Sequence, residues 1–179
     1  MPRPLRIQAP DTLYHVTGNA TDRWRLFVDD TDRARFVSLF AGVIQKYEWT
    51  CLAFALMGTH DHLMFRTKHA NIAVGMQELN GRYAADFNRR HGRPGHLFRS
   101  RYGAVVVEKP GHLLWCLRYI ARNPVEAGLC SSPADWRWSS YPGLVEAGVR
   151  WSLVAEQEVL GLFGRERESA VARFRDFVE

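Results

Sequence analysis

Leu13-Tyr14-His15-Val16-Thr17 is a short run of β-branched and aromatic residues closed by Gly18-Asn19, which predicts a strand followed by a loop. The period then changes. Phe36, Leu39, Phe40, Val43, Ile44 and Tyr47 recur at the spacing of one apolar helical stripe, and Asp29 or Asp30 can cap its start. Thr50 to Met57 is almost continuously apolar, which predicts a central strand buried on both faces, and Gly58-Thr59 supplies the turn into a returning strand from His60 to Thr67. A second helix is expected from an Asn71 cap, with Ile72, Met76, Leu79, Tyr83 and Phe87 inward and its end near His91-Gly92. A basic loop from Arg93 to Arg101 precedes a fourth strand, Gly103 to Glu108. Pro110 opens a third helix, expected to stop near Asn123 because Pro124 disfavours helical geometry in the residue before it.

The order β-α-β-β-α-β followed by a helix is the ferredoxin-like split pattern. It predicts an α+β fold with a four-stranded antiparallel sheet and both connecting helices on one face. The opposite face is then free to receive the third helix. Beyond that helix come a connector holding Trp136, Trp138 and Trp151 and an amphipathic tail from about Val154, with Phe174 and Phe177 near its end. The chain is therefore expected to divide into a domain of residues 1–145 and a C-terminal helical extension of residues 146–179.

Composition narrows the class without changing this picture. The 179 residues are 46% hydrophobic and 24% charged, as in an ordinary globular protein. The longest apolar run, Cys51 to Met57, is far below the ~20 residues of a membrane helix. The N-terminal charges have no apolar segment behind them, so no membrane association and a cytoplasmic location are expected. Cys51, Cys116 and Cys130 form no CxxC pair and read as buried thiols in a reducing compartment. Charge is more informative. The net charge is +5, and residues 82–101 alone hold six arginines against the single acid Asp86, interleaved with Tyr83, Phe87, His91, His96, Phe98 and Tyr102. Arginine forks suit phosphates and aromatic rings suit unpaired bases, so Arg82, Arg89, Arg90, Arg93, His96, Arg99 and Arg101 are candidate DNA contacts. A solvated basic helix with its rings in the core is the other reading of the same stretch.

His60 and His62, two apart on a strand, project from one face and can share a metal ion, although two polar strand-edge histidines fit the spacing as well. On the third helix Leu113, Cys116, Leu117 and Ile120 mark the core stripe. Tyr119 lies at its edge and Asn123 one turn further on. Laid over the free sheet face, that helix brings a phenol and an amide to the histidines; a half-buried, hydrogen-bonded tyrosine is the plain alternative.

Residues from Met1 to Tyr141 resemble the REP-associated tyrosine transposases of the single-tyrosine HUH endonuclease group. The matching blocks run in order: Pro4-Leu5-Arg6, Tyr14-His15-Val16-Thr17, Asp32-Arg33 with Phe36, Leu56-Met57 before His60-x-His62-Leu63, Asn80-Gly81-Arg82-Tyr83 and Phe87-Asn88-Arg89-Arg90. They continue through Gly95-His96-Leu97-Phe98, Arg101-Tyr102, Arg118-Tyr119-Ile120, Asn123-Pro124-Val125, Ala127-Gly128-Leu129 and Trp138-Ser139-Ser140-Tyr141. The resemblance implies the same split fold and a metal-dependent endonuclease and strand transferase acting on single-stranded DNA at hairpin-associated sites. It implies His60 and His62 as the metal pair, Asn123 as a third ligand, Tyr119 as the nucleophile of a 5′-phosphotyrosine intermediate, and Mg²⁺ or Mn²⁺ as the cofactor. The partner implied is single-stranded or hairpin DNA, the protein being a monomer or homodimer. Three places depart from the family's usual pattern: Gly18-Asn19-Ala20 stands for Arg-Gly-Asn, Gly58-Thr59 for Pro-Asn, and Asp61 for an apolar residue. Asp61 is expected on the helix-covered face, where it needs exposure at the strand end or a partner such as an arginine. The alternative these departures leave open is a diverged or domesticated, non-catalytic nucleic-acid-binding regulator on the same fold. A small-molecule metalloenzyme is the third class, disfavoured because no two-carboxylate or nucleophile-triad motif is present.

Overall fold

The computed structural model describes residues 8–21, 24–146 and 150–179, so the Pro4-Leu5-Arg6 block lies outside the described residues. Four strands, β1 (Thr12–Asn19), β2 (Trp49–Leu56), β3 (His60–Thr67) and β4 (Gly103–Val106), form one antiparallel sheet in the order β2-β3-β1-β4. Helices α1 (Asp30–Tyr47) and α2 (Ile72–Arg90) cross one face, giving the expected α+β ferredoxin-like split arrangement. On that face Phe36, Phe40, Leu79, Tyr83 and Phe87 pack against Tyr14, Val16, Leu63 and Phe65. Side chains alternate along a strand, so Asp61, Leu63 and Phe65 of β3 point into this core while His60, His62 and Met64 point away from it.

The opposite face is covered by α3 (Pro110–Glu126), α4 (Tyr141–Val145), α5 (Glu156–Gly161) and α6 (Arg167–Val178). Leu13, Leu52, Ala53, Met64 and Val107 of the sheet side meet Cys116, Leu117, Ile120, Tyr141, Leu160, Phe174 and Val178 in a second core. The tail from Val154 is thus two short helices, and it closes this core. Helix α6 also holds α3: Arg122 donates to the carbonyls of Val178 and Glu179 at 3.0 and 3.3 Å, and Arg118 lies over the ring of Phe177. The tyrosine-bearing helix is therefore held by the sheet beneath it and by α6 beside it.

Several local expectations are corrected. Strand β2 is buried on both faces but lies at one end of the strand order; its outer edge is covered because the amide of Leu56 donates to the carbonyl of Trp138 and that of Ser140 to Phe54. Strand β1 continues through Gly18 and Asn19, and β4 stops at Val106. Helix α3 runs past Pro124 to Glu126, its end set by Gly128. At φ +68° Gly128 lets its own amide reach the carbonyl of Val125 and that of Leu129 reach Pro124, so a proline in the last turn costs one helical hydrogen bond and no more. Asn71 precedes α2 but its side chain does not cap it; it accepts from Trp49 Nε1 at 2.7 Å and donates to the carbonyl of Tyr47 at 3.0 Å. Asp29 does cap α1, accepting from the amide of Asp32 at 3.1 Å. All three cysteines are free; Cys51 and Cys116 are buried, whereas Cys130 is only half-buried.

Candidate nucleic-acid site

Register sets the site. Thr17 pairs with His62 and Asn19 with His60, and His15, diagonal to His62 on the same face, completes a row of three imidazoles. His15 Nε2 and His62 Nδ1 are 3.0 Å apart, at hydrogen-bond distance. The rings of His60 and His62 stand nearly perpendicular with centroids 5.1 Å apart. Above them α3 presents Tyr119, whose ring meets that of His62 edge-on at 5.3 Å and that of His15 at 6.0 Å. One turn on, Asn123 Oδ1 lies 3.2 Å from His60 Nε2. The helix thus brings Tyr119 and Asn123 together with His60 and His62. The Tyr119 hydroxyl hydrogen-bonds to no described residue, so the plain alternative of a hydrogen-bonded structural tyrosine finds no partner among them.

Burial lowers the pKa of His62 to about 3, with the charges of His15 and His60 adding to the effect. It lowers that of His15 to about 4, helped by His112. Both rings are therefore neutral at pH 7 and keep a lone pair. His62 Nδ1 is taken up by His15, while His62 Nε2 is buried with no hydrogen-bond partner among the described residues. An imidazole nitrogen without a partner, in a ring beside that of His60, together with the Asn123 amide oxygen is a donor set that fits a divalent ion. No group of three His, Cys, Asp or Glu side chains among the described residues is placed to hold a metal; the groups that could hold one here are two imidazoles and one amide.

Two departures from the family pattern turn out to face each other, because Gly18 and Asp61 are cross-strand partners. Asp61 is buried and has no arginine partner among the described residues; it accepts the Gly18 amide at 2.9 Å. A Cβ on residue 18 would lie 3.0 and 3.2 Å from the two carboxylate oxygens, so glycine makes the room that Asp61 occupies. Burial pushes the Asp61 carboxyl up to about 7, only partly opposed by that hydrogen bond. The carboxylate lies on the face away from the imidazole row.

The basic segment divides. Arg82 pairs with Glu78, Arg89 with Asp86, and Arg90 with both Asp29 and Asp32, but Glu78 also takes Lys46 and Asp86 also takes Arg35, so of these three cations only Arg90 has its charge matched within the protein. Arg93 lies 3.5 Å over the ring of Trp24. His96, Arg99 and Arg101 are exposed and rim a groove of about 770 Å³ between α2 and the 95–102 loop, lined also by Met76, Ala84, Leu97 and Phe98. That loop is tied to the site edge, since the amide of Arg99 donates to the carbonyl of Asn19, opposite His60. Two residues of the site escape a reading by motif. His15 becomes its neighbour only through the β1–β3 register, and Trp115, stacked on Tyr119, is visible in the sequence as the residue one turn before it.

The sequence model of the family described as IS200-like transposases matches residues 8–123. No curated protein matches the chain. Among solved structures, a REP-associated tyrosine transposase bound to a REP hairpin superimposes with a TM-score of 0.70 at 16% identity, over 86% of this chain and 97% of that one, a likeness of fold. The tRNA(His) guanylyltransferase of Saccharomyces cerevisiae aligns over 99% of this chain and 82% of that chain with a TM-score of 0.49 and 9% identity. Among the described residues no helix is long and apolar enough to cross a membrane.

Proposed function

We propose, from the premise that this chain belongs to the IS200-like transposase family, that it cleaves and rejoins single-stranded DNA at hairpin-associated sites through Tyr119. The observation that carries this reading is Tyr119 lying edge-on to His62, with Asn123 of the same helix against His60. That a protein of the same fold is bound to a REP hairpin supports hairpin DNA as the partner. His60, His62 and Asn123 would hold the divalent ion, which when bound polarises the scissile phosphate and offsets charge on its oxygens.

The remaining work falls to the chain's own groups. Tyr119 Oη forms a bond to phosphorus and gives up its proton; the bond from phosphorus to the 3′ oxygen breaks, and that oxygen leaves as a hydroxyl after gaining a proton. The product is a 5′-phosphotyrosine, from which a second 3′-hydroxyl recovers the phosphodiester and releases the phenol. The edge contacts from His62 and His15 and the stack with Trp115 fix the Tyr119 ring before DNA arrives, which reduces the entropy lost on reaching an attacking geometry. Arg99 and Arg101, exposed at the loop tied to β1, are the cations suited to hold the phosphate backbone leading to the site.

The test is incubation with 5′- and 3′-end-labelled hairpin DNA carrying single-stranded flanks, in Mn²⁺. The wild type gives a covalent protein–DNA adduct, and Tyr119→Phe, which lacks only the hydroxyl, gives none while binding the same DNA. An adduct that persists in the Phe variant assigns the nucleophile elsewhere. Binding by the wild type without adduct in any hairpin and metal combination favours the non-catalytic regulator.

A further inference from the structure

His112, Trp115, Tyr119 and Asn123 follow one another along a single face of α3, and the last two meet the imidazole row. Trp115 lies outside that contact. Its neighbours Cys116 and Leu117 are buried in the second core, which turns Trp115 outward, and 56% of it is exposed. Exposure alone decides little, since lone apolar side chains are common on protein surfaces. Trp24 is also exposed, at 49%, but the Arg93 guanidinium covers its ring at 3.5 Å. Trp115 differs. One face stacks on Tyr119 with centroids 5.0 Å apart and planes 7° from parallel, and its one other ring contact among the described residues is a tilted one with His112 at 6.2 Å. Beside the imidazole row, opposite His15, β4 carries Val105, itself 55% exposed. An open aromatic face therefore flanks the phenol on the side away from Asn123.

We infer that the free face of Trp115 is a stacking site for the unpaired nucleobase next to the cleaved phosphodiester. The inference rests on the reading of Tyr119 as the nucleophile toward single-stranded DNA. The four residues from Trp115 to Tyr119 climb about 6 Å of helix, one short step along a strand whose phosphate lies at the phenol. A paired base has both faces occupied by its neighbours in the duplex, so an open ring here selects an unpaired one. The stack is indifferent to base identity and gives register: it fixes which phosphate comes to rest at Tyr119. It does so without adding charge next to the imidazoles, since Arg118 and Arg122 of the same helix are turned to Phe177 and to the carbonyls of Val178 and Glu179.

The test uses the full chain carrying Tyr119→Phe, which keeps the ring under Trp115 and removes the covalent step. The probe is a hairpin DNA with a single-stranded flank in which 2-aminopurine replaces each flank base in turn. Fluorescence quenching is expected at one or two adjacent positions. Adding Trp115→Leu relieves the quenching there and weakens binding by about 5- to 150-fold, the range for loss of one base–aromatic stack, while Trp115→Phe retains most of both. The same quenching pattern and affinity in Trp115→Leu as in its parent overturn the stacking site and leave the proposed function standing. Equal losses in Trp115→Leu and Trp115→Phe also overturn it, since they assign Trp115 a packing role only. No binding of any flanked hairpin by the parent overturns the proposed function and the site with it.

Discussion

The sheet face under α1 and α2 and the face under α3 are built from alternate residues of the same strands, yet the first is dry throughout and the second is dry at one end only. Under α1 and α2, rings from helix and sheet interlock: Phe36 meets Tyr83 edge-on at 5.1 Å, and Trp49 stacks on Phe65 at 4.2 Å. Asp61, the one carboxylate that β3 sends into this face, is accommodated by the absence of a side chain at Gly18. Under α3 the same alternation gives Met64 to the second core and His62 and His60 to the open end, where the phenol and the amide come down on them. Period-two geometry thus lets a single eight-residue strand, β3, serve a packed core on one side and a polar shelf on the other. The difference between the faces is one of tolerance: an added atom has nowhere to go on the first and can be absorbed on the second.

Adding one methyl group to each face tests this most strongly. A Cβ on Gly75 would lie 2.3 and 2.5 Å from two atoms of the Trp49 ring, which cannot retreat because it stacks on Phe65 and donates to Asn71. A Cβ on Gly103 would meet only the Thr17 hydroxyl, at 2.9 Å, and that group can rotate aside. Gly75→Ala is expected to lose about 2–3 kcal/mol by overpacking, even though alanine is the better helix former, and Gly103→Ala less than about 0.5 kcal/mol. For a chain of this size that separates the two by roughly 4–12 °C in thermal unfolding. Equal melting temperatures would mean that the faces do not differ in packing.

Much of this was legible in the sequence and some was not, for reasons that differ by residue. The helical stripe from Phe36 to Tyr47 and the order of strands and helices follow from periodicity, which the chain carries locally. The apolar run of β2 suggests a central strand because burial on both faces usually goes with a strand on either side; here the 136–140 connector, distant in sequence, covers its outer edge. Pro124 suggests a stop on local geometry, whereas the Gly128 cap two residues past the helix, which decides where α3 ends, lies beyond the proline. His60 and His62 share a face by spacing alone. His15 joins them only once β1 is paired with β3 in one register, a long-range fact that no window of sequence contains.

His15 therefore offers a finer test, confined to the open face. By taking up His62 Nδ1 it leaves Nε2 as the ring nitrogen without a partner among the described residues, and partners of this kind typically change metal affinity by 10- to 100-fold. His15→Phe keeps an aromatic ring against Tyr119 and removes the hydrogen bond. Mn²⁺ titration by calorimetry is expected to show an affinity lower by about 10- to 100-fold, with the melting temperature of the metal-free protein changed by no more than about 2–4 °C. Unchanged affinity would detach His15 from the centre and leave it a packing residue of the shelf.

The smallest expected effect lies at the solvent end of the dry face, where charge instead of packing locks α1 to α2. Arg90, at the end of α2, pairs with Asp29, the cap of α1, at 2.7 Å, and that hydrogen bond is the main reason the Asp29 carboxyl sits at about 2, below its usual range. A carboxyl lowered on folding adds stability that is fully present above its unfolded value near 3.8 and is lost as pH falls toward about 2. The Asp29 side chain is 45% exposed, so solvent screens most of that contribution. Asp29→Asn keeps an oxygen to accept the Asp32 amide and removes only the charge, so it is expected to cost about 0.5 kcal/mol, or roughly 1–2 °C, between pH 5 and pH 8. Below pH 4 the carboxyl of the unfolded chain begins to protonate, so the gap should narrow by pH 3 and close as the folded carboxyl protonates near its value of about 2. Urea midpoints at pH 7, 5 and 3 measure this. A gap that stays constant down to pH 3 would place the cost in the altered cap, and the joining of α1 to α2 would then rest on their apolar packing and on the other pairs between them, Arg35 with Asp86 and Lys46 with Glu78.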